Sequence, residues 1–301
     1  MPVDFLTIGH ITHDSTPEGF RLGGTVSYAA VTASRLGHRP GILTRASTEG
    51  IATLPSSDGT AVVAASPDGA LDGIDICLLP SPVSTTFTNI YHGTLSERTQ
   101  VIEALAASIS PEELPPAWAD VPVVLLGPVA REVPPAWARA FPTEALVGIT
   151  PQGWMRKWDE KGHVSPTPWE NMPEFLTHAD VIILSREDVG GDDACIADLA
   201  CRANLLIVTD GWHGATVHRC GESFPVPARP THQVDPTGAG DVFATAFLIR
   251  MFETGDPVAA VRFANIVASM SVEGSGRSRI PFRAEVDAWL TREGEPQERA
   301  Q

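Results

Sequence analysis

The sequence has no unbroken apolar run approaching the roughly 18 residues that a membrane-spanning helix needs, so no membrane partner is expected. It is poor in basic residues. Lys and Arg total 21 against 37 Asp and Glu, a formal net charge of −16. This balance opposes tight nucleic-acid binding, which depends on neutralising phosphates with cationic side chains. It leaves room for a small phosphorylated ligand, which needs only a local donor cluster. Cysteine is scarce: Cys77, Cys195, Cys201 and Cys220 form no C-x-x-C pair, so no zinc site is expected. Four thiols in 301 residues read as reduced cysteines in a cytoplasm. The first residues show no basic stretch leading into an apolar run, so no secretory signal is expected. The nine histidines show no metal-ligand spacing. Tyrosine occurs twice, at Tyr28 and Tyr91.

Apolar residues, by contrast, are plentiful at 43%, enough for a buried core and too many for a disordered chain. Phe5 to Ile8 reads as a strand ending at Gly9, and Thr25 to Leu36 as a helix stopped by Gly37. Gly41 to Thr44, Ala61 to Ala64 and Ile74 to Leu79 are short apolar runs of strand type. Thr85 to Tyr91 is β-branched and aromatic with alternation, and Arg98 to Ile102 follows a turn-like His92 to Glu97. That pattern predicts a hairpin. Beyond Val123 strands and helices alternate. Strands are predicted at 123–126, 145–149, 181–184 and 205–209, and helices near 134–141 and 192–203. Three more helices close the chain, at about 238–252, 257–273 and 283–290. The alternation predicts an α/β fold with a mostly parallel sheet and helices on both faces.

One segment carries chemistry: Gln233-Val234-Asp235-Pro236-Thr237-Gly238-Ala239-Gly240-Asp241-Val242-Phe243. A Gly-Ala-Gly turn followed by an acid and a long apolar helix lets backbone N–H groups approach an anion at a positive helix end. Asp241, in the first turn, could accept a proton from a hydroxyl aimed at that anion. The same pattern also suits a plain strand-to-helix turn with Asp241 as a local cap.

The string D-P-T-G-A-G-D-x-F resembles the signature of the ribokinase-like (PfkB-type) carbohydrate kinases. Gly23-Gly24-Thr25-Val26-Ser27-Tyr28-Ala29-Ala30, with Arg35-Leu36-Gly37, resembles a second family motif. Thr209-Asp210-Gly211-Trp212-His213-Gly214-Ala215 is similar to the family's T-x-G-x-x-G nucleotide segment. The resemblance implies a three-layer sandwich with a small β lid, formed by about 10–24 and 80–104. It implies phosphoryl transfer from ATP with Mg2+. Asp241 would be the base, with an ordinary aspartate pKa and a late proton transfer, and Gly238, Ala239 and Gly240 would form the anion hole. Ser185, Asp188, Thr209, Gly211, Gly214, Asn265 and Gly274 would serve the nucleotide side. Asp235 and Thr237 match positions that hold a monovalent cation such as K+ in many relatives. Asp14, Gly23, Gly24, Tyr28, Tyr91 and Arg156 would meet the acceptor, and His13, beside Asp14, is a further candidate contact.

Three departures stand out. Tyr28 replaces an Asn that usually contacts the sugar. Ser185-Arg186-Glu187-Asp188 replaces N-x-x-E, shortening the acid by one methylene. Thr150-Pro151-Gln152-Gly153-Trp154-Met155-Arg156 loses the acid of D-P-Q-G-x-x-R but keeps the arginine. The details are most similar to the inositol-kinase branch. The implied substrate is a small polyol, cyclitol (myo-inositol-like) or sugar, and the implied assembly a monomer or a homodimer through the lid. A nucleoside kinase of the same fold and a non-catalytic sugar- or nucleotide-binding sensor are the alternatives.

Overall fold

The computed structural model describes residues 2–16, 19–56, 59–91 and 98–294. Its strands are β1 (Phe5–Ile8), β2 (Thr12–Thr16), β3 (Gly19–Gly23), β4 (Pro40–Ala46), β5 (Ala52–Pro55), β6 (Ala61–Ala65), β7 (Asp75–Pro80), β8 (Thr85–Tyr91), β9 (Arg98–Ala104), β10 (Val123–Leu126), β11 (Leu146–Ile149), β12 (Arg156–Trp158), β13 (Val164–Pro166), β14 (Val181–Ser185), β15 (Leu206–Thr209), β16 (Ala215–Arg219) and β17 (Glu222–Val226). Its α-helices are α1 (Thr25–Arg35), α2 (Met172–Leu176), α3 (Asp193–Arg202), α4 (Ala239–Thr254), α5 (Pro257–Ser271) and α6 (Arg283–Gly294).

Among the described residues, eleven strands make one sheet in the order β17-β16-β15-β14-β11-β10-β1-β4-β7-β6-β5. The seven from β15 to β7 run parallel, and two antiparallel strands flank them at each edge. Burial on both faces explains why the central strands read as continuous apolar runs. Alternate residues of one strand feed opposite cores. Phe5, Val123, Leu125, Ile183 and Ile207 pack with α1, α4 and α5. Leu6, Val124, Leu126, Ile182 and Leu206 pack toward Trp118, Trp137, Trp154 and Trp169.

The two faces are covered differently. Helix α4 is buried continuously from Val242 to Ile249, as an all-round apolar helix must be. Gly255, at φ 67°, ends it, and Asp256 caps α5 by accepting from the Val258 and Ala259 N–H groups. On the other face the helix expected near 134–141 is only a 3₁₀ turn, Pro135–Arg139. The reason lies in Pro134, Pro135 and Pro142, which bracket the segment without backbone donors. Tryptophan rings supply the bulk that a regular helix would otherwise provide there.

A second sheet, β3-β2-β8-β9, stands apart from the first. It is antiparallel except for its central β2–β8 pair, which is parallel. The predicted 85–102 hairpin forms its outer half, while the 61–80 strands join the large sheet. His10 fastens the two sheets together. Its Nε2 donates to the Ala107 carbonyl (3.0 Å), leaving Nδ1 to accept from the Thr85 hydroxyl (2.7 Å). Glu132, only 2% exposed, accepts from the N–H groups of His10, Val129 and Ala130. Three chain segments that meet beside the carboxyl ends of β1 and β10 are thereby fixed.

Candidate active site

The carboxyl ends of β1, β10, β11, β14 and β15 share one edge of the large sheet, where open parallel sheets bind ligands. The amino end of α4 points to the same place. Gly238 caps it in the left-handed region (φ 77°, ψ 2°). A Cβ on Gly238 would stand 2.2 Å from the Tyr28 ring, so both the conformation and the contact require glycine. Gly240 is exposed, and nothing stands within 4 Å of where its Cβ would lie. An anion can therefore approach the backbone here. Gly240 and Asp241 lie in the first turn, where a helix offers its N–H groups no internal acceptor. Ala239 differs from this expectation: its N–H donates to the Pro236 carbonyl (3.1 Å). Of the three residues expected to form an anion hole, Ala239 thus has its N–H already engaged.

Asp241 is half-buried at the base of this edge. Burial pushes its carboxyl up to about 6, although a hydrogen bond from the Thr25 hydroxyl and the charge of Arg156 both favour ionisation; Asp188 adds to the rise. The expected ordinary aspartate is thus corrected. Thr25 begins α1, and its side chain needs the space Gly127 leaves: a Cβ on Gly127 would lie 2.3 Å from the Thr25 methyl. Neither Thr25 nor Gly127 was singled out individually from sequence. The signal was available for Thr25, which follows the Gly23-Gly24 pair directly.

Arg156 comes from β12, with its guanidinium 5.9 Å from the Phe87 ring centroid and Nη1 donating to the Val129 carbonyl (3.2 Å). Phe87 pairs with Asp14 across β2 and β8, so both side chains lie on one face of the small sheet. Asp14 accepts from the Thr12 hydroxyl (3.2 Å), and a Cβ on Gly23 would lie 2.2 Å from its Oδ2. Gly24, at φ 86°, would collide at 2.3 Å with the His10 carbonyl if it bore a side chain. Both glycines of the pair are therefore positional. His13 is not on the Asp14 face. It stacks on Phe20 at 3.8 Å, and burial lowers its pKa despite Glu49.

Tyr28 is 8% exposed and belongs to the core beneath Gly238, with the Arg277 guanidinium 5.8 Å from its ring centroid. Burial raises its phenol, and Asp241, Asp14 and Asp235 add to that rise against Arg277. Its ring packs directly beneath Gly238. The other tyrosine, Tyr91, has a side chain outside the described residues.

The two acid departures meet. Asp188 accepts from the Ser185 N–H (2.8 Å) and from Gln152 Nε2 (3.1 Å), while its own N–H donates to the Ser185 hydroxyl (3.1 Å). Thr209 pairs with Ser185 across β14 and β15. Asp235 closes the loop beside Gly238 by accepting from the Thr237 N–H (3.0 Å) and the Gly276 N–H (2.9 Å). Burial works against its ionisation, yet these bonds and the charge of Arg21 leave the carboxyl below its usual range. Gly211 (φ 52°) opens the turn after β15. Gly214 and Asn265 meet elsewhere, at the end of β17. A Cβ on Gly214 would strike the Val226 carbonyl at 2.2 Å, and Asn265 Nδ2 donates to the Val226 and Pro227 carbonyls (3.0 and 3.1 Å). Gly274 lies against Arg279, 2.8 Å from Cβ to Cβ were it substituted. Among the described residues no three His, Cys, Asp or Glu side chains converge as a metal site, and no helix is long and apolar enough to cross a membrane.

Residues 165–282 match the profile of the pfkB family carbohydrate kinases. A ribokinase from Bacillus subtilis is 39% identical over 94 residues, 31% of this chain and 32% of that protein. A 5-dehydro-2-deoxygluconokinase from Listeria innocua is 28% identical over 143 residues, 42% of this chain and 44% of that protein. The matched stretches thus span less than half the length of these curated relatives. Similar solved structures include a pyrophosphate-dependent kinase of the ribokinase family complexed with a pyrophosphate analogue and myo-inositol (TM-score 0.73, 21% identity, 94% of this chain and 99% of that one). Another is Arabidopsis thaliana ribokinase complexed with ribose and ATP (TM-score 0.69, 18% identity, 96% and 99%). At these identities the likeness establishes a ribokinase-like α/β fold.

Proposed function

We propose that this chain, whose residues 165–282 match the pfkB family carbohydrate kinases, transfers a phosphoryl group from ATP to a hydroxyl of a small polyol, cyclitol or sugar. The observation that carries this reading is Asp241. It stands in the first turn of α4 behind an open Gly240, with its pKa brought to about 6. A base poised near the working pH can take the acceptor proton as transfer proceeds. Most of the acceleration then comes from alignment and charge stabilisation. The Gly240 and Asp241 N–H groups receive the transferring phosphoryl, and the Arg156 charge lies within reach of the reacting end.

On the acceptor side, Asp14 on β2 accepts hydrogen bonds from two hydroxyls of the substrate, a role suited to its two oxygens. The small sheet acts as the lid, excluding water that would compete as acceptor. Mg2+ supplies charge neutralisation at the donor phosphates. Phosphate oxygens hold most of such a cation, and Asp188 is the acid at hand to orient it. Asp235, kept ionised, and Thr237 are the candidates for a monovalent cation such as K+.

A nucleoside acceptor is the runner-up, weakened by the packing of Tyr28 under Gly238. The test is ADP release with Mg-ATP across inositols, pentoses, hexoses and nucleosides. Saturable turnover with a cyclitol or sugar is expected. Turnover with a nucleoside alone overturns the acceptor class, and background with every acceptor overturns the kinase reading.

A further inference from the structure

A carboxyl group in a protein interior needs a reason, because burial strips its hydration. Glu132 is 2% exposed. Among the described residues its partners are backbone N–H groups, with no cation beside it. An apolar side chain would fill the same space without that cost. What the carboxylate adds is direction. Its Oε1 accepts from the His10 and Val129 N–H groups (both 2.9 Å), and its Oε2 accepts from the Ala130 N–H (2.7 Å).

The Ala130 N–H and the Val129 carbonyl belong to one peptide unit. That unit is planar and trans, so the carbonyl points away from the N–H. Glu132 holds the N–H, and on the opposite side the Val129 carbonyl accepts from Arg156 Nη1 (3.2 Å). The peptide is a rigid lever between a buried acid and an arginine of the cleft. Arg131, the next residue, adopts φ 63°, a left-handed conformation that a side chain disfavours. Its Nε donates to the Arg156 carbonyl (2.7 Å). The loop therefore grips Arg156 at both its guanidinium and its backbone. Gly153, three residues before Arg156, lets the two segments close: a Cβ there would strike the Pro128 carbonyl at 2.3 Å.

Such a grip matters for a long side chain. A guanidinium on a flexible stem serves a site only when it is held in one place. Val129 and Ala130 pack with Phe87, whose ring centroid lies 5.9 Å from the Arg156 guanidinium. Phe87 shares its face of the small sheet with Asp14. At its other end the Arg156 charge acts on the Asp241 carboxyl.

We propose that Glu132 is a positioning residue: through the Val129–Ala130 peptide it aims Arg156 into the cleft between Asp14 and Asp241. The proposal rests on the kinase reading for its biological sense, but one arm of its test needs no turnover. The full chain is compared as wild type, Glu132→Gln, Arg156→Met and the double variant. Glutamine keeps the shape but turns an amide NH2 toward backbone donors. The Asp241 carboxyl is followed by carbon-13 NMR through a pH titration, its signal assigned by its loss in Asp241→Asn. The groups that act on this carboxyl are the Thr25 hydroxyl, Arg156 and Asp188, with Tyr28 close by.

The sign separates the two ways Glu132 could act. Removing a negative charge at Glu132 would by itself lower the Asp241 pKa, whereas withdrawing Arg156 raises it. We expect a rise in Glu132→Gln, a rise in Arg156→Met and no further rise in the double variant. Glu132→Asp keeps the charge but falls one methylene short. It should show the same rise, and it replaces the amide variant if that one does not fold. With an acceptor that the wild type phosphorylates, each single variant should raise the acceptor KM about tenfold. The double variant should match Arg156→Met, and the ATP KM should not move. An unchanged or lowered Asp241 pKa in Glu132→Gln overturns the proposal. So do effects that multiply in the double variant, which would leave Glu132 a structural bolt alone. If the titration shows the coupling while no acceptor is phosphorylated, the positioning role stands and the kinase reading fails. If turnover persists and the effects multiply, the positioning role fails and the kinase reading stands.

Discussion

The two walls of the cleft are built by different means. The proposed phosphoryl side is one continuous stretch: Asp235 to Asp241 forms a closed turn, an open glycine and the first turn of α4 within seven residues. The proposed acceptor side is assembled from distant pieces. Asp14 and Gly23 come from β2 and β3, Phe87 from β8 and Arg156 from β12. The first wall gains its geometry from local backbone conformation and helix polarity. The second depends on sheet register and on bolts such as His10 and Glu132. Damage to the first wall should therefore strike the chemical step, and damage to the second should strike acceptor binding.

The largest expected effect comes from Asp241→Asn. Removing a general base costs about 10³-fold in kcat, with ATP binding retained. In the wild type, activity should fall as pH drops below about 6, where the Asp241 carboxyl becomes protonated. Stability should move the other way. A folded-state pKa raised above the ordinary 3.8 means that ionisation costs folding free energy. This group's stabilising contribution is complete below about pH 4 and lost as pH rises through about 6. Thermal melts should then show the asparagine variant more stable than wild type at pH 7.5, with the gap closing near pH 4. A wild-type turnover rate in the variant would remove Asp241 from catalysis.

Gly238→Ala should come next. It combines left-handed strain with overpacking against Tyr28, together about 3 kcal/mol. A displaced helix end should lower kcat by about 100-fold, measured at a temperature where circular dichroism shows the variant folded. Near-normal kcat would mean that the Tyr28–Gly238 packing does not set the anion hole. Asp14→Asn should have the smallest effect of the three. Weakening a charged hydrogen bond should raise the acceptor KM about tenfold and leave the ATP KM unmoved. Equal changes in both would erase the contrast between the walls.

Legibility followed the same division. Strands β1, β10, β14 and β15 and helices α4 and α5 appear close to where periodicity puts them, because each has apolar content matched to its own burial. The Asp241 segment was readable because its parts are contiguous. The 3₁₀ turn at Pro135–Arg139 was mistaken for a helix because the apolar pattern survives there while prolines remove the donors. Tyr28 is expected from the motif to meet the acceptor, and its ring packs in the core beneath Gly238. His13 and Asp14 adjoin in sequence, but a strand turns them to opposite faces. The Thr25–Asp241 bond joins residues more than 200 positions apart, and no local pattern announces it.

By itself, the sequence determined the central strands, the long helices α4 and α5, the glycine-shaped amino end of α4 and the presence of an acid in its first turn. These follow from backbone sterics and short-range periodicity. Only the tertiary structure decided that Asp241 carries a raised pKa, that Arg156 faces it and that Tyr28 lies beneath Gly238. It also decided that Asp188 closes on Gln152. Each of these depends on which groups the parallel sheet brings to its carboxyl edge and how much water they lose there. Dielectric surroundings and side-chain orientation belong to the assembled molecule, not to neighbours along the chain.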